Sequence, residues 1–213
     1  MNESSLDYVS VVGTRLVQPV IDLIEKLELL SPTEPNEVQS SPTENGYSCA
    51  VVVLSALVLE SALNRTRYLR KDASEPPHVA DYFRKISNDG NLALDVNELF
   101  AIRDAIVHNH LWEAKIDAVA MKFVSPPKLL PDYGGKRFRG VMDSETRLSR
   151  KLKLNLFPSR ICRSDAYIVF KTAGRALMTL EKMDRSYFPI SWQPFTFHHK
   201  TVRFPEVIEA LIG

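Results

Sequence analysis

The stretch YSCAVVVLSALVLESALNRTRYLRK, residues 47–71, carries a single charge, Glu60, before Arg65. From Tyr47 to Asn64, apolar residues fall on nearly every side of a helical projection. A helix apolar all round belongs at the centre of a bundle. Arg65, Arg67, Arg70 and Lys71 gather at its far end, where exposed helix carbonyls favour cations. Its longest apolar run, Ala50 to Leu59, is interrupted by Ser55 and closed by Glu60. That is about half of a bilayer span. A buried core helix is expected, and no membrane partner.

Outward from this helix, residues 6–30 place Leu16, Val20, Leu23, Ile24 and Leu27 at helical spacing, with Pro19 predicting a kink or a split. Residues 31–46, SPTEPNEVQSSPTENG, are rich in Ser, Pro and Glu and read as a mobile surface loop. After it, EPPH (75–78) predicts the start of a short third helix over 78–87. The turn SNDGN closes that helix, and a fourth spans 94–116.

The character then changes. Residues 122–163 hold prolines, a Gly134-Gly135 turn that predicts a β-hairpin, and alternating segments at Lys136–Val141 and Lys151–Leu156. Ser164 offers an N-cap for a fifth helix ending near Met183. Residues 186–213 are a tail with a short helix from Pro205. The expected architecture is an all-α bundle of four or five helices in a single domain over 1–213. The basic insertion 122–163 precedes its last core helix.

Composition sets the bounds. With 213 residues, 45% hydrophobic and 25% charged, the chain can bury roughly 70% of its unfolded surface without a disulfide or metal staple. Cys49 and Cys162 lack ligand spacing and read as small buried hydrophobes. The start, MNESSLDYVS, has neither a basic segment nor an apolar one, so no secretory signal is expected and the reducing cytoplasm is the default. Net charge is +1, yet residues 1–46 carry −6 and residues 122–163 carry +8. Such polarity suggests a surface facing a polyanion.

The fourth helix carries RDAIVHNHLW, residues 103–112. Counting from Arg103, Val96, Leu99, Ile102, Ile106, Val107 and Leu111 fall within about 100° of it, and His110 within about 20°. Arg103 therefore lies inside the apolar arc, with Asp104 and His108 one turn apart at its edge. A buried guanidinium is costly unless paired or set in a cleft. Two explanations follow: a structural ion pair between Arg103 and Glu60 across the helix interface, or a site.

This segment resembles the Arg-x(4–6)-His motif of HEPN domains, here Arg103-Asp104-Ala105-Ile106-Val107-His108, set after an apolar helix ending LESALNR and before a closing helix. The resemblance covers about 6–116 and 164–185. It implies a metal-independent endoribonuclease of a toxin or defence type, with no cofactor and no metal. The site would be composite, at a homodimer cleft. Arg103 would hold the scissile phosphate, His108 would transfer protons, and Asp104 would orient or assist. Products would be a 2′,3′-cyclic phosphate and a 5′-OH. Some toxins of this type carry a modifiable tyrosine two residues after the histidine; here that position is His110, so neutralisation by that modification is not expected. An antitoxin or other regulatory partner is left open. Family members without catalysis usually lack the Arg/His pair. The alternative is a non-catalytic module that binds RNA, a nucleotide or a protein.

Auxiliary candidates are His110, Glu60 and Asn64, the last one turn beyond Glu60. In the insertion, Phe123, Tyr133, Phe138 and Phe157 interleave with Lys136, Arg137, Arg139, Arg150 and Lys151. That composition suits single-stranded RNA, and equally a charged loop anchored by its aromatics. His198-His199, without an acidic or cysteine neighbour in sequence, predicts no metal site, and His78 is expected at an exposed helix start.

Overall fold

The structure, a computed structural model, describes residues 13–33, 37–72, 76, 78–120 and 122–211. The first helix, α1 (Gly13–Glu28), buries Val17, Val20, Ile21, Ile24 and Leu27 on one stripe. It runs through Pro19 as one element. The expected split does not occur: the proline forfeits one backbone bond, and the continuous buried face holds the helix together. Residues 6–12 of the expected helix lie outside the described residues.

The expected loop over 31–46 is partly helix. α2 (Pro42–Leu69) starts five residues before Tyr47, with Ser41 Oγ accepting from Glu44 N at 3.2 Å and Pro42 at its first position. Glu44 is buried, and its carboxylate accepts from Thr33 Oγ1 and from Arg163 N, the latter at 3.0 Å. Val38 and Ser40 are buried too. α3 (Val79–Ile86) is capped by His78, whose Nδ1 accepts from Ala80 N at 3.2 Å. α4 (Gly90–Val107) is capped by Asp89. It buries residues on most of its circumference, including Asp95 and Glu98, so it is a second central helix rather than an amphipathic surface one.

α4 stops nine residues before the expected end at 116. Asn109 adopts φ 45°, His110 N donates to Ala105 O at 3.1 Å, and Asn109 N donates to Ile106 O at 3.1 Å. These paired bonds form a Schellman terminus, which uses a left-handed residue to satisfy the last carbonyls. The chain then enters β1 (Trp112–Asp117), paired antiparallel with β2 (Lys122–Leu129). Asp117 Oδ1 accepts from Val119 N and Ala120 N, both at 2.9 Å, and shapes the turn.

The hairpin therefore begins before the insertion expected over 122–163, with only β2 inside it, and none forms at Gly134-Gly135. Those glycines precede α5 (Lys136–Val141), which replaces the extended segment expected there. Gly134 has φ +69°, and a Cβ on it would sit 2.7 Å from Leu129 Cδ2 and 2.8 Å from Phe138 Cδ1. Only glycine fits. After α5, residues 148–155 make isolated bridges to neighbouring backbone, and Pro158–Arg160 forms a single 3₁₀ turn. α6 (Arg163–Met183) is capped at Cys162, not Ser164, with Asp165 accepting from Cys162 N at 3.0 Å. Both cysteines are half-buried free thiols, and burial pushes the Cys49 thiol up to about 11.

In the bundle, α2 packs against α1, α3, α4 and α6, and α4 packs against α2, α3 and α6. The described chain is mainly helical. α2 is long and apolar enough by composition to cross a membrane, and half of its most apolar window is buried inside the protein.

The tail adds a second hairpin, β3 (Pro194–Phe197) with β4 (Lys200–Arg203), and then α7 (Phe204–Ala210), which starts next to Pro205 as expected. His198 and His199 turn the hairpin with positive φ at both positions, the pattern of a two-residue type I′ turn. His198 does have an acidic neighbour after all. Its Nε2 lies 2.6 Å from Glu28 Oε2 on α1.

Ile208 and Phe204 of α7 lie directly over Gly174 on α6. A Cβ there would meet Ile208 Cδ1 at 2.6 Å and Phe204 Cε1 at 3.2 Å, whereas one on Gly46 would meet nothing within 4 Å. Gly174→Val is expected to cost about 1–3 kcal/mol by overpacking. Gly46→Ala is expected to add roughly 0.5–1 kcal/mol through helix propensity. Thermal denaturation checks both, and Tm should fall for the first and rise for the second.

Candidate functional site

The motif residues sit at the C-terminal end of α4. Arg103 reaches across to α2, with Nη2 3.3 Å from Glu60 Oε2 and Nη1 3.4 Å from Asp104 Oδ1. Its guanidinium lies over the Phe100 ring at 5.3 Å, and its Nε is buried without a hydrogen-bond partner. The same Asp104 Oδ1 lies 4.0 Å from His108 Nε2. One carboxylate oxygen therefore stands between a guanidinium and an imidazole.

Exposure separates these groups. The His108 side chain is 63% exposed, that of Arg103 is 19% exposed, and that of Glu60 is 34% exposed. His108 is the helix C-cap, at the lip of the site. Arg103 forms its floor. The ion pair expected as the structural explanation for Arg103 is present. Glu60 is partly solvated, so solvent screens the pair from that side and it contributes on the order of 1 kcal/mol.

His110 does not project from α4, because the helix has already ended. The left-handed turn at Asn109 folds it inward, and it is 8% exposed. Its ring meets Phe138 edge-on at 4.5 Å and lies 6.4 Å from His108. Its Nδ1 is buried without a hydrogen-bond partner. Burial lowers its pKa, the neighbouring charges of His108 and Arg139 lower it further, and Asp104 opposes them. Asn64 is exposed on α2, one turn beyond Glu60.

One member of this cluster was not legible as such in the sequence. His78, the N-cap of α3, packs edge-on to Phe100 at 6.0 Å. Its pKa is lowered by burial first and by Arg137 second, with Asp104 and Asp81 opposing and Arg103 adding to the lowering. His78 therefore shares the electrostatic field of the motif, twenty-five residues before Arg103. Only the packing of α3 along α4 brings them together.

A folded-state pKa below the unfolded one means that the unfolded chain takes up protons first on acidification. Stability from a neutral His110 is therefore present above about pH 6.5 and is lost as pH falls towards its folded pKa. His110→Phe keeps the aromatic contact with Phe138 and removes the proton. The fall in Tm between pH 7.5 and 5.5 is expected to be shallower in that variant, and equal slopes would contradict a buried neutral His110.

The cations of the insertion divide by what holds them. Arg139 is structural: its Nε donates to Gly134 O at 2.8 Å and its Nη2 to Pro131 O and Tyr133 O at 2.9 and 2.7 Å. Arg137 bonds Asp81 and donates to Asn97 Oδ1 at 2.8 Å. Lys151 pairs with the buried Asp95 at 2.7 Å. Lys136 and Arg150 are exposed and form no ion pair among the described residues. The aromatics anchor the insertion rather than stand free. Phe138 is buried, and Phe157 packs edge-on against both Trp112 and Phe123.

Among the described residues, no group of three or more His, Cys, Asp or Glu side chains is arranged to hold a metal ion. In comparisons with known proteins, no family model, no curated protein and no solved structure matches this chain.

Proposed function

We propose that this protein is an endoribonuclease of the HEPN type, acting at the end of α4. The observation that carries the reading is the arrangement of Arg103, Asp104 and His108. An exposed imidazole stands beside a carboxylate that also touches a half-buried guanidinium. RNA supplies its own nucleophile, so the chemistry asks for proton transfer and charge stabilisation only. The 2′-oxygen attacks phosphorus as its proton passes to a base, and the P–O5′ bond breaks as the 5′-oxygen receives a proton. Histidine serves either transfer near neutral pH, and arginine forks onto two phosphate oxygens. The substrate phosphate would take the place of Glu60 on Arg103.

One helix end offers one such set, so a homodimer would supply the second. Exposed Val107 and Leu111 flank His108, and Leu57 is exposed on α2 one turn before Glu60. These apolar groups fit a face buried by a second copy. The biological setting in this reading is toxin or defence, with any inhibitory partner open.

A specific observation favours a second reading. Both Nη atoms of Arg103 already face carboxylates, as in a structural ion pair of a non-catalytic module. Purified protein with single-stranded RNA in EDTA separates the two. Cleavage lost in His108→Ala and Arg103→Ala supports the enzyme, and RNA binding without cleavage in the wild type supports the module. Light scattering at micromolar concentration tests the dimer.

A further inference from the structure

A second concave feature lies between α3, α4, α5 and the turn at Arg150-Lys151, with a volume of about 600 Å³. Its lining includes five cations and two carboxylates. The carboxylates are spoken for. Asp81 bonds Arg137, and Glu98 accepts from Ser149 Oγ, Lys151 N and Leu152 N. Two of the cations, Arg137 and Lys151, are tied to carboxylates as well. Arg84, Lys136 and Arg150 remain, all exposed and none in an ion pair among the described residues. Three uncompensated cations around one hollow form a strong anion site.

The rest of the lining is not polar. Leu94, Gly140 and Val141 also line the cavity, and a Cβ on Gly140 would meet nothing within 4 Å. The volume falls in the range of roughly 300–1,000 Å³ typical of small-molecule sites. We infer that this cavity binds an organic phosphate of nucleotide size. The phosphoryl group is held by Arg84, Lys136 and Arg150, and the body lies against Leu94, Gly140 and Val141. The site is distinct from the cleavage cluster, and Arg137 is the residue nearest to linking them. It lines the cavity, and its charge acts on His78. The phosphate has two sources, a free nucleotide or a strand of RNA.

Titration calorimetry on the full chain tests this with ADP, inorganic pyrophosphate and a single-stranded RNA nonamer as probes. Gly140 lines the cavity and has open space for a Cβ, so Gly140→Leu is expected to occupy part of it, and Arg84→Ser with Lys136→Ser removes two cations that hold no ion pair among the described residues. Either change is expected to weaken binding at least tenfold. ADP binding identifies a free nucleotide as the source, and RNA binding without ADP binding, weakened by the cavity variants, identifies the strand. Both outcomes support the site. Pyrophosphate is expected to bind more weakly than ADP, for lack of a body to rest on the apolar wall. No binding of any probe, or affinity unchanged in both variants, would overturn the inference. If wild type fails to cleave RNA while Gly140→Leu abolishes ADP binding, the cavity stands and the cleavage reading falls.

Discussion

Glu98→Ala is expected to destabilise the protein by about 3 kcal/mol, since buried donors left without an acceptor cost roughly 1–3 kcal/mol each. Glu98 is 5% exposed on α4. Its Oε2 accepts from Ser149 Oγ at 2.7 Å and Leu152 N at 2.7 Å, and its Oε1 accepts from Lys151 N at 2.8 Å. Ser149 is itself fully buried and cannot turn to water. Against a total stability of about 5–15 kcal/mol, that loss is large. It corresponds to a Tm decrease of roughly 6–12 °C for a chain of this size. Glu98→Gln keeps one acceptor oxygen but turns an amide N–H₂ towards a donor, so it should fall between the two. Thermal denaturation followed by circular dichroism reads both. A drop of under 1 °C in Glu98→Ala would mean that the turn over 149–152 does not depend on this carboxylate.

The same carboxylate shows why parts of this molecule were legible in sequence and parts were not. The central position of α2 follows from residues 47–64 alone, because an all-round apolar helix has nowhere else to go. The beginning of α2 was also written locally. Ser41-Pro42-Thr43-Glu44 has a capping serine, a proline at the first helical position and a glutamate three residues on. The Ser, Pro and Glu content of 31–46 hid that pattern. Asn109, the residue type next best to glycine at a left-handed terminus, likewise marked the end of α4. Reading through it moved His110 onto a helix that had already stopped. Glu98, in contrast, takes its partners 51 to 54 residues away, and no local pattern announces them. His78 belongs with it, since only the packing of α3 against α4 sets an N-cap histidine edge-on to Phe100, one turn before Arg103. Arg103 lies between these cases. The helical count placed it in an apolar arc, an ion pair with Glu60 was one of the two explanations that followed, and the 3.3 Å contact is there.

The largest effect on activity is expected at His108. In EDTA, with single-stranded RNA, His108→Ala should lower the cleavage rate by about 10²–10⁴-fold, the range for a general acid or base. Arg103→Ala should cost a comparable factor, by analogy with loss of one preorganised donor to a developing charge, about 10²–10³-fold. Arg103→Lys should recover little of it, since an ammonium does not fork onto two phosphate oxygens. Glu60 distinguishes this account from a merely structural arginine. Its carboxylate holds Arg103 Nη2 at 3.3 Å and is 34% exposed, so in the cleavage reading it competes with the substrate phosphate. Glu60→Gln should therefore lower KM with kcat retained. If Arg103 were only a bundle staple, the same change would lower Tm and leave KM alone. The products should carry a 2′,3′-cyclic phosphate and a 5′-OH, identifiable by mass spectrometry. Equal cleavage by wild type, His108→Ala and Arg103→Ala would place the chemistry elsewhere on the protein.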